Sequence, residues 1–153
     1  MKKILLMLFC LFAFSMTSCG KQNAMDPFIG TPHLFLVEGG EVVESINPKE
    51  HAEYFESKEN FDSLMNENGL IDKDEKNGEV IAITYQEYLD MIDKKEHFVV
   101  LVSQTMCSHC LAFKSDVMND YIKDHGVKIY EINITNEEDP ETVFNTLKEF
   151  IKE

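Results

Sequence analysis

The sequence predicts an α/β fold, in which strands and helices alternate along a single domain. Short apolar runs rich in β-branched residues recur along the chain, and most are separated by segments whose apolar residues have helical spacing. A length of 153 residues fits one domain, and a hydrophobic content of 44% is enough for a packed core. We place this domain at residues 28–153, with parts at 28–70 and 79–153.

The N-terminal half of the domain begins with two predicted strands. Residues 34–37 and 42–46 are apolar runs around Gly39-Gly40, a pattern typical of a β-hairpin. Apolar residues then recur at helical spacing and predict one helix over 55–69, ending at Asn68-Gly69. Residues 72–78 are polar and charged. Their acidic residues do not have the spacing of a calcium-binding loop, so we interpret the segment as a linker.

The C-terminal half alternates more regularly. A strand at 80–83 precedes a helix over 85–92, with Thr84 as its expected cap. Residues 98–102 are five apolar residues in a row, which is typical of a strand buried on both faces. The predicted elements that follow are a helix after Cys107 up to Gly126, a strand at 127–134 and a helix that opens at Pro140.

The first eighteen residues have the pattern of a secretory signal peptide. Lys2 and Lys3 precede an unbroken apolar run at residues 4–14, which is too short to span a membrane as a helix. Small and polar residues then lead to Cys19. We therefore expect residues 1–18 to be removed and residues 19–27 to form a tether; a buried N-terminal helix is the alternative.

The segment Met16-Thr17-Ser18-Cys19 resembles the lipobox of bacterial lipoproteins, although Met16 stands where Leu is commoner. This resemblance implies cleavage before Cys19 and a diacylglycerol group on its sulfur. Two acyl chains give lasting attachment to a membrane, whereas one chain gives only marginal attachment. Ordinary signal-peptidase cleavage, which leaves Cys19 as a free thiol, is the alternative.

The charge of the chain excludes some classes of partner. It carries 28 acidic and 14 basic residues, all of the latter lysines, for a net charge of −14. Removing Lys2 and Lys3 with the signal peptide changes this to 12 − 28 = −16. Nucleic-acid binding is nearly ruled out, since it needs clustered cations, and adhesion to anionic lipid through a basic patch is disfavoured for the same reason.

The residues that carry chemistry are Cys107-Ser108-His109-Cys110, which follow a predicted strand and open a predicted helix. A helix N-terminus stabilises a thiolate at Cys107, and Cys110 lies one turn further on. Cys107 would attack a disulfide and Cys110 would resolve the mixed disulfide. His109 can direct a hydrogen bond or positive charge toward the Cys107 sulfur. A structural disulfide is the alternative; two cysteines are too few for a zinc site, and we expect no metal or cofactor.

With this motif, residues 98–134 resemble the thioredoxin-like superfamily, supported by the strand and helix at 80–93. The Ser108-His109 pair resembles the X-His pairs of disulfide oxidases and isomerases. The resemblance implies a three-layer α/β sandwich with a mixed sheet. Two positions depart from the family: Met106 stands where thioredoxin has Trp, and Leu101 where it has a buried Asp. Glu131 on the neighbouring strand can replace that carboxylate, although an exposed strand Glu is the commoner explanation.

The family elements occur in rotated order. Residues 30–37 resemble the family's cis-proline strand, 39–43 the following turn and strand, and 55–69 the closing helix, but all precede the Cys-x-x-Cys half. We favour a circularly permuted domain over two incomplete domains or an unrelated hairpin. Permutation predicts a cis Thr31–Pro32 peptide against the disulfide, with Thr31 and Pro32 lining a substrate groove. It also predicts that strand 34–37 pairs with strand 98–102 on one side, and that strand 42–46 lies antiparallel to it on the other side.

Together these features predict a lipid-anchored thiol–disulfide oxidoreductase on the extracytoplasmic face of the cell membrane. The resemblance extends to bacteriocin-transport accessory proteins and related thioredoxin-like lipoproteins. The expected partners of the protein are protein dithiols or disulfides and a membrane or extracellular redox protein. The competing interpretation is a binding module without catalysis, or a metal carrier, in which the dithiol is incidental.

Overall fold

A computed structural model of the protein describes residues 31–69 and 78–150. The predicted signal peptide, Cys19, the tether and nearly all of the 72–78 linker lie outside the described residues. The strands and α-helices are β1 (His33–Glu38), β2 (Glu41–Ile46), α1 (Ala52–Glu56), α2 (Lys58–Glu67), β3 (Glu79–Ala82), α3 (Tyr85–Asp93), β4 (Phe98–Ser103), α4 (Ser108–Phe113), α5 (Asn119–His125), β5 (Lys128–Asn133) and α6 (Pro140–Lys148).

The strands form one mixed sheet in the order β2-β1-β4-β5-β3. Strands β4, β5 and β3 run parallel, β1 is antiparallel to β4, and β2 is antiparallel to β1. The predicted α/β class and mixed sheet are therefore confirmed. The predicted pairing of residues 34–37 with 98–102, and of 42–46 beside them, is also confirmed.

Helices cover both faces of the sheet, and each face has its own apolar core. The first core joins one face to α1, α2, α4 and α5, and it includes Leu34, Leu36, Leu101, Phe61, Phe113 and Tyr121. The second joins the other face to α3 and α6, and it includes Phe35, Val37, Val100, Tyr88, Phe144 and Leu147. Strand β4 is buried along its whole length, as its continuous apolar run predicts.

The predicted helix over 55–69 is wrong in one respect, because the chain forms two helices there. Ser57 has an extended backbone, with φ −130° and ψ 125°, and separates α1 from α2. Its hydroxyl accepts a hydrogen bond from the Asn60 amide at 3.3 Å, which caps α2. A serine favours such a cap over a helix interior, and the break turns Phe55 and Phe61 toward the same ring, Phe113.

The helix after Cys107 also differs from a regular helix. A π-helical segment, Lys114–Met118, joins α4 to α5. The predicted end at Gly126 is confirmed, with φ +66° in the left-handed region. Thr84 caps α3 as predicted, through a capping box with Glu87.

The start of β1 buries a histidine. His33 is fully buried, its Nε2 lies 2.8 Å from Ser45 Oγ, and its Nδ1 has no hydrogen-bond partner. Burial lowers the pKa of His33 from 6.5 to about 4, and the Glu50 carboxylate opposes part of that shift. The side chain is therefore neutral in the folded protein near neutral pH.

We predict that His33 makes the fold sensitive to acid. The unfolded chain binds a proton at His33 between pH 6.5 and about 4 while the folded protein does not, so the free energy of unfolding falls as the pH falls through this window. The shift corresponds to a loss of about 3 kcal/mol at the acid end. Urea titrations at about pH 7 and pH 4.5 measure it. A His33→Phe variant, which keeps a buried ring without the titration, should lose about 2–3 kcal/mol less than the natural chain between these pH values. Equal losses in both proteins would contradict the assignment.

Candidate active site at the Cys107 and Cys110 sulfurs

The local chain path places Cys107 at the start of α4. After β4 ends at Ser103, a short loop passes through Met106, whose φ of +63° lies in the left-handed region. Cys107 then occupies the N-cap position of α4, and its Sγ accepts a hydrogen bond from the Cys110 amide at 3.1 Å. A sulfur at an N-cap faces unpaired helix amides, which favour negative charge there.

The two cysteines form a disulfide, with their Cα atoms 5.3 Å apart. They differ in access: Cys110 is 1% exposed, whereas Cys107 is half-buried. An incoming sulfur can therefore reach Cys107 more readily than Cys110. This is the asymmetry that the sequence predicts.

Thr31 contacts the same sulfur from a distant part of the sequence. Its hydroxyl donates to Cys107 Sγ at 3.4 Å, and its carbonyl oxygen lies 3.3 Å from that sulfur. The Thr31–Pro32 peptide is cis, as predicted. The structure thus brings Thr31, Cys107 and Cys110 together, with Pro32 directly next in the chain.

Ser108 and His109 are on the surface. Both are exposed, and the hydrogen bonds to Cys107 Sγ in the described residues come from Thr31 and the Cys110 amide instead. The predicted hydrogen bond from His109 to the sulfur is therefore absent from the described part of the chain. An effect of His109 on the sulfur through positive charge stays a prediction.

A second polar group lies between the sheet and the cysteine-bearing helix. The Glu131 carboxylate accepts hydrogen bonds from Ser103 Oγ at 2.6 Å and from Lys114 Nζ at 2.8 Å. Its side chain is 13% exposed, so the exposed-glutamate interpretation is wrong. Glu131 pairs in register with Leu101, the position at which the resembled family has its acid.

Two exposed apolar side chains stand next to the disulfide in sequence. Met106 and Leu111 are 91% and 58% exposed, and they flank the two cysteines in sequence. Large exposed apolar side chains are few in the described residues, Val43 being the other. Such a pair beside an accessible sulfur can contact an apolar segment of another protein.

Sequence reasoning missed three residues near this site. His33 was not singled out from the sequence, in which the predicted strand begins at residue 34. Its burial depends on pairing with β4 and β2, which local composition does not encode. Ser103 and Lys114 belong to the Glu131 cluster, and Lys114 reaches it from the start of the unpredicted π-helical segment. A lysine four residues after Cys110 was the available signal.

The described residues contain no group of three or more acidic, histidine or cysteine side chains suited to a metal ion. In the same part of the chain, no helix has the length and apolar character needed to cross a membrane. The chain matches no family model, no curated protein and no solved structure.

We predict that Cys107 is alkylated before Cys110 when the reduced protein is treated with iodoacetamide at about pH 5.5. The physical reason is its access and the helix amide that stabilises its thiolate. Peptide mass spectrometry after short exposure distinguishes the two sulfurs. Preferential labelling of Cys110 would reverse the assignment.

The Thr31 hydroxyl should contribute to that reactivity. Thr31→Val removes the donor with little change of shape and should slow alkylation about 5-fold, which corresponds to the ~1 kcal/mol of a typical hydrogen bond. Thr31→Ser is the matched control, since it keeps the hydroxyl and should react nearly as the natural protein does. A Thr31→Val rate equal to the Thr31→Ser rate would mean that the hydroxyl does not act on the sulfur.

Proposed function

We propose that the protein is a membrane-anchored, extracytoplasmic thiol–disulfide oxidoreductase acting on protein thiols or disulfides through Cys107 and Cys110. The observation that carries the proposal is the unequal placement of two bonded sulfurs at one helix N-terminus. Cys107 is accessible and receives hydrogen bonds from Thr31 and from the Cys110 amide, whereas Cys110 is buried. A purely structural disulfide has no need of these donors.

The chemistry follows from this placement. In the reducing direction, the Cys107 thiolate attacks one sulfur of a substrate disulfide and expels the other as a thiolate. The Cys110 thiolate then attacks the Cys107 sulfur and releases the substrate's second thiolate. Two electrons pass to the substrate, and the protein ends as its disulfide. The oxidising direction is the reverse of these steps.

We further propose that the domain is thioredoxin-like and circularly permuted. Three features support this: helices on both faces of a mixed sheet, the position of β1 between β4 and β2, and the Thr31–Pro32 segment against Cys107. In this interpretation the backbone of Thr31 binds an extended substrate strand beside the sulfur. Met106 and Leu111 then contact the substrate's apolar side chains.

The Glu131 cluster, which consists of Glu131, Ser103 and Lys114, is a candidate for tuning the reactivity of the Cys107–Cys110 pair. It lies against the first helix layer, which carries the cysteines, and Lys114 neutralises its charge. Burying a carboxylate and its paired lysine costs solvation free energy, and this cost is offset only when the remaining hydrogen bonds of the pair are formed. Ser103 and Lys114 make them here.

The proposed function is tested by turnover of a disulfide substrate. The purified domain should catalyse reduction of an insulin disulfide by dithiothreitol, and Cys107→Ser should reduce the catalysed rate to background. Cys110→Ser should instead accumulate a mixed disulfide at Cys107, which non-reducing mass spectrometry detects. If both serine variants matched the natural protein, the disulfide would be structural and the proposal wrong. Activity limited to metal binding would support the carrier interpretation.

A further inference from the structure

The polypeptide enters the domain at the proposed active site. Strand β1 is antiparallel to β4, so β1 begins at the end of the sheet where β4 finishes, with His33 opposite Val102. Cys107 follows the end of β4 by a short loop. The Thr31 hydroxyl contact with Cys107 Sγ, at 3.4 Å, fixes the entering chain beside the disulfide.

The chain length from this point back to the proposed lipid is short. Thr31 follows Cys19 by 31 − 19 = 12 residues. Even a fully extended chain covers at most about 3.6 Å per residue, which limits this span to roughly 43 Å. If β1 ran parallel to β4, the tether would instead join the domain at the far end of the sheet. The antiparallel pairing therefore keeps the disulfide near the anchor, whatever conformation the tether adopts.

We propose that the substrates are cysteine pairs of membrane-held proteins, positioned within roughly 50 Å of the bilayer surface, in preference to freely diffusing proteins. This inference rests on the proposed oxidoreductase function and on the lipid at Cys19. Confinement at one surface raises the effective concentration of such substrates, and it does so only within the reach of the tether.

The charge of the protein favours a protein partner over the lipid itself. With residues 1–18 removed, the chain carries 12 − 28 = −16. Anionic headgroups repel a protein of this net charge, so electrostatics oppose adhesion of the domain to such a bilayer. The apolar side chains of Met106 and Leu111, exposed beside the disulfide, remain available to a polypeptide held near the membrane.

The test uses the full, lipidated protein on vesicles and a peptide disulfide as the probe. The reporter peptide is supplied either free in solution or attached to lipid through a six-proline spacer, which is about 19 Å long. The protein is reduced beforehand and the reductant removed, so that each molecule transfers two electrons once. The Cys107 and Cys110 thiols become a disulfide and the reporter becomes a dithiol, with no other reactant required.

We expect the lipid-attached reporter to be reduced at least 10-fold faster than the free reporter at the same bulk concentration. Inserting about 30 Gly/Ser residues between Pro27 and Phe28 is the matched control. It should lower the rate on the attached reporter about 5-fold, since effective concentration falls steeply with tether length. It should leave the rate on the free reporter unchanged.

The outcomes separate the inference from the proposed function. No reduction of the free reporter would overturn the oxidoreductase function. If protein that floats with the vesicles reduced both reporters at the same rate, the preference for membrane-held substrates would be overturned. The oxidoreductase function would still stand. Protein that fails to float with the vesicles, as Cys19→Ala should, would overturn the anchor and the inference with it.

Discussion

The pairing of β1 with β4 is the interaction on which the proposed site depends. It holds Thr31 against Cys107, although the two residues lie 76 positions apart in sequence. Residues 34–37 are buried on both faces, so their apolar pattern alone does not fix the register. Polar contacts at the start of the strand supply that information. A one-residue slip of β1 against β4 would separate Thr31 from the Cys107 sulfur, and a slip against β2 would separate His33 from Ser45.

Buried polar side chains are few among the described residues, and two of them, His33 and Ser103, lie in strands near this site. His33 is buried with one ring nitrogen unpaired, which costs stability, yet it stands two residues from Thr31. On the other side of β4 from β1, Glu131 in β5 accepts hydrogen bonds from Ser103 and Lys114. The His33 contact joins β1 to β2, and the Glu131 contacts join β5 to β4 and to Lys114 at the end of α4. These buried polar groups thus favour one arrangement of the strands at the site, and they lower the free energy of unfolding in return.

The sequence predicted the parts of the fold that local patterns determine. The buried run at 98–102, the hairpin around Gly39-Gly40 and the Cys107 N-cap each follow from a few adjacent residues. The break at Ser57 and the π-helical segment at Lys114–Met118 were not predicted. A serine fits a helix cap but also occurs inside helices, so the residue alone does not decide between one helix and two. Thr31 was placed at the site only through a family resemblance, because no local pattern encodes a contact over such a separation.

If the Cys107–Cys110 disulfide is exchanged in function, its reduction potential must lie within reach of thiol–disulfide exchange partners. Equilibration of the purified domain with glutathione redox buffers, followed by alkylation and mass spectrometry, gives the fraction of Cys107–Cys110 disulfide at each potential. We predict a reversible two-electron transition within about −120 to −270 mV, the range of known exchange proteins. A disulfide that stays oxidised below about −300 mV, as structural disulfides do, would contradict it.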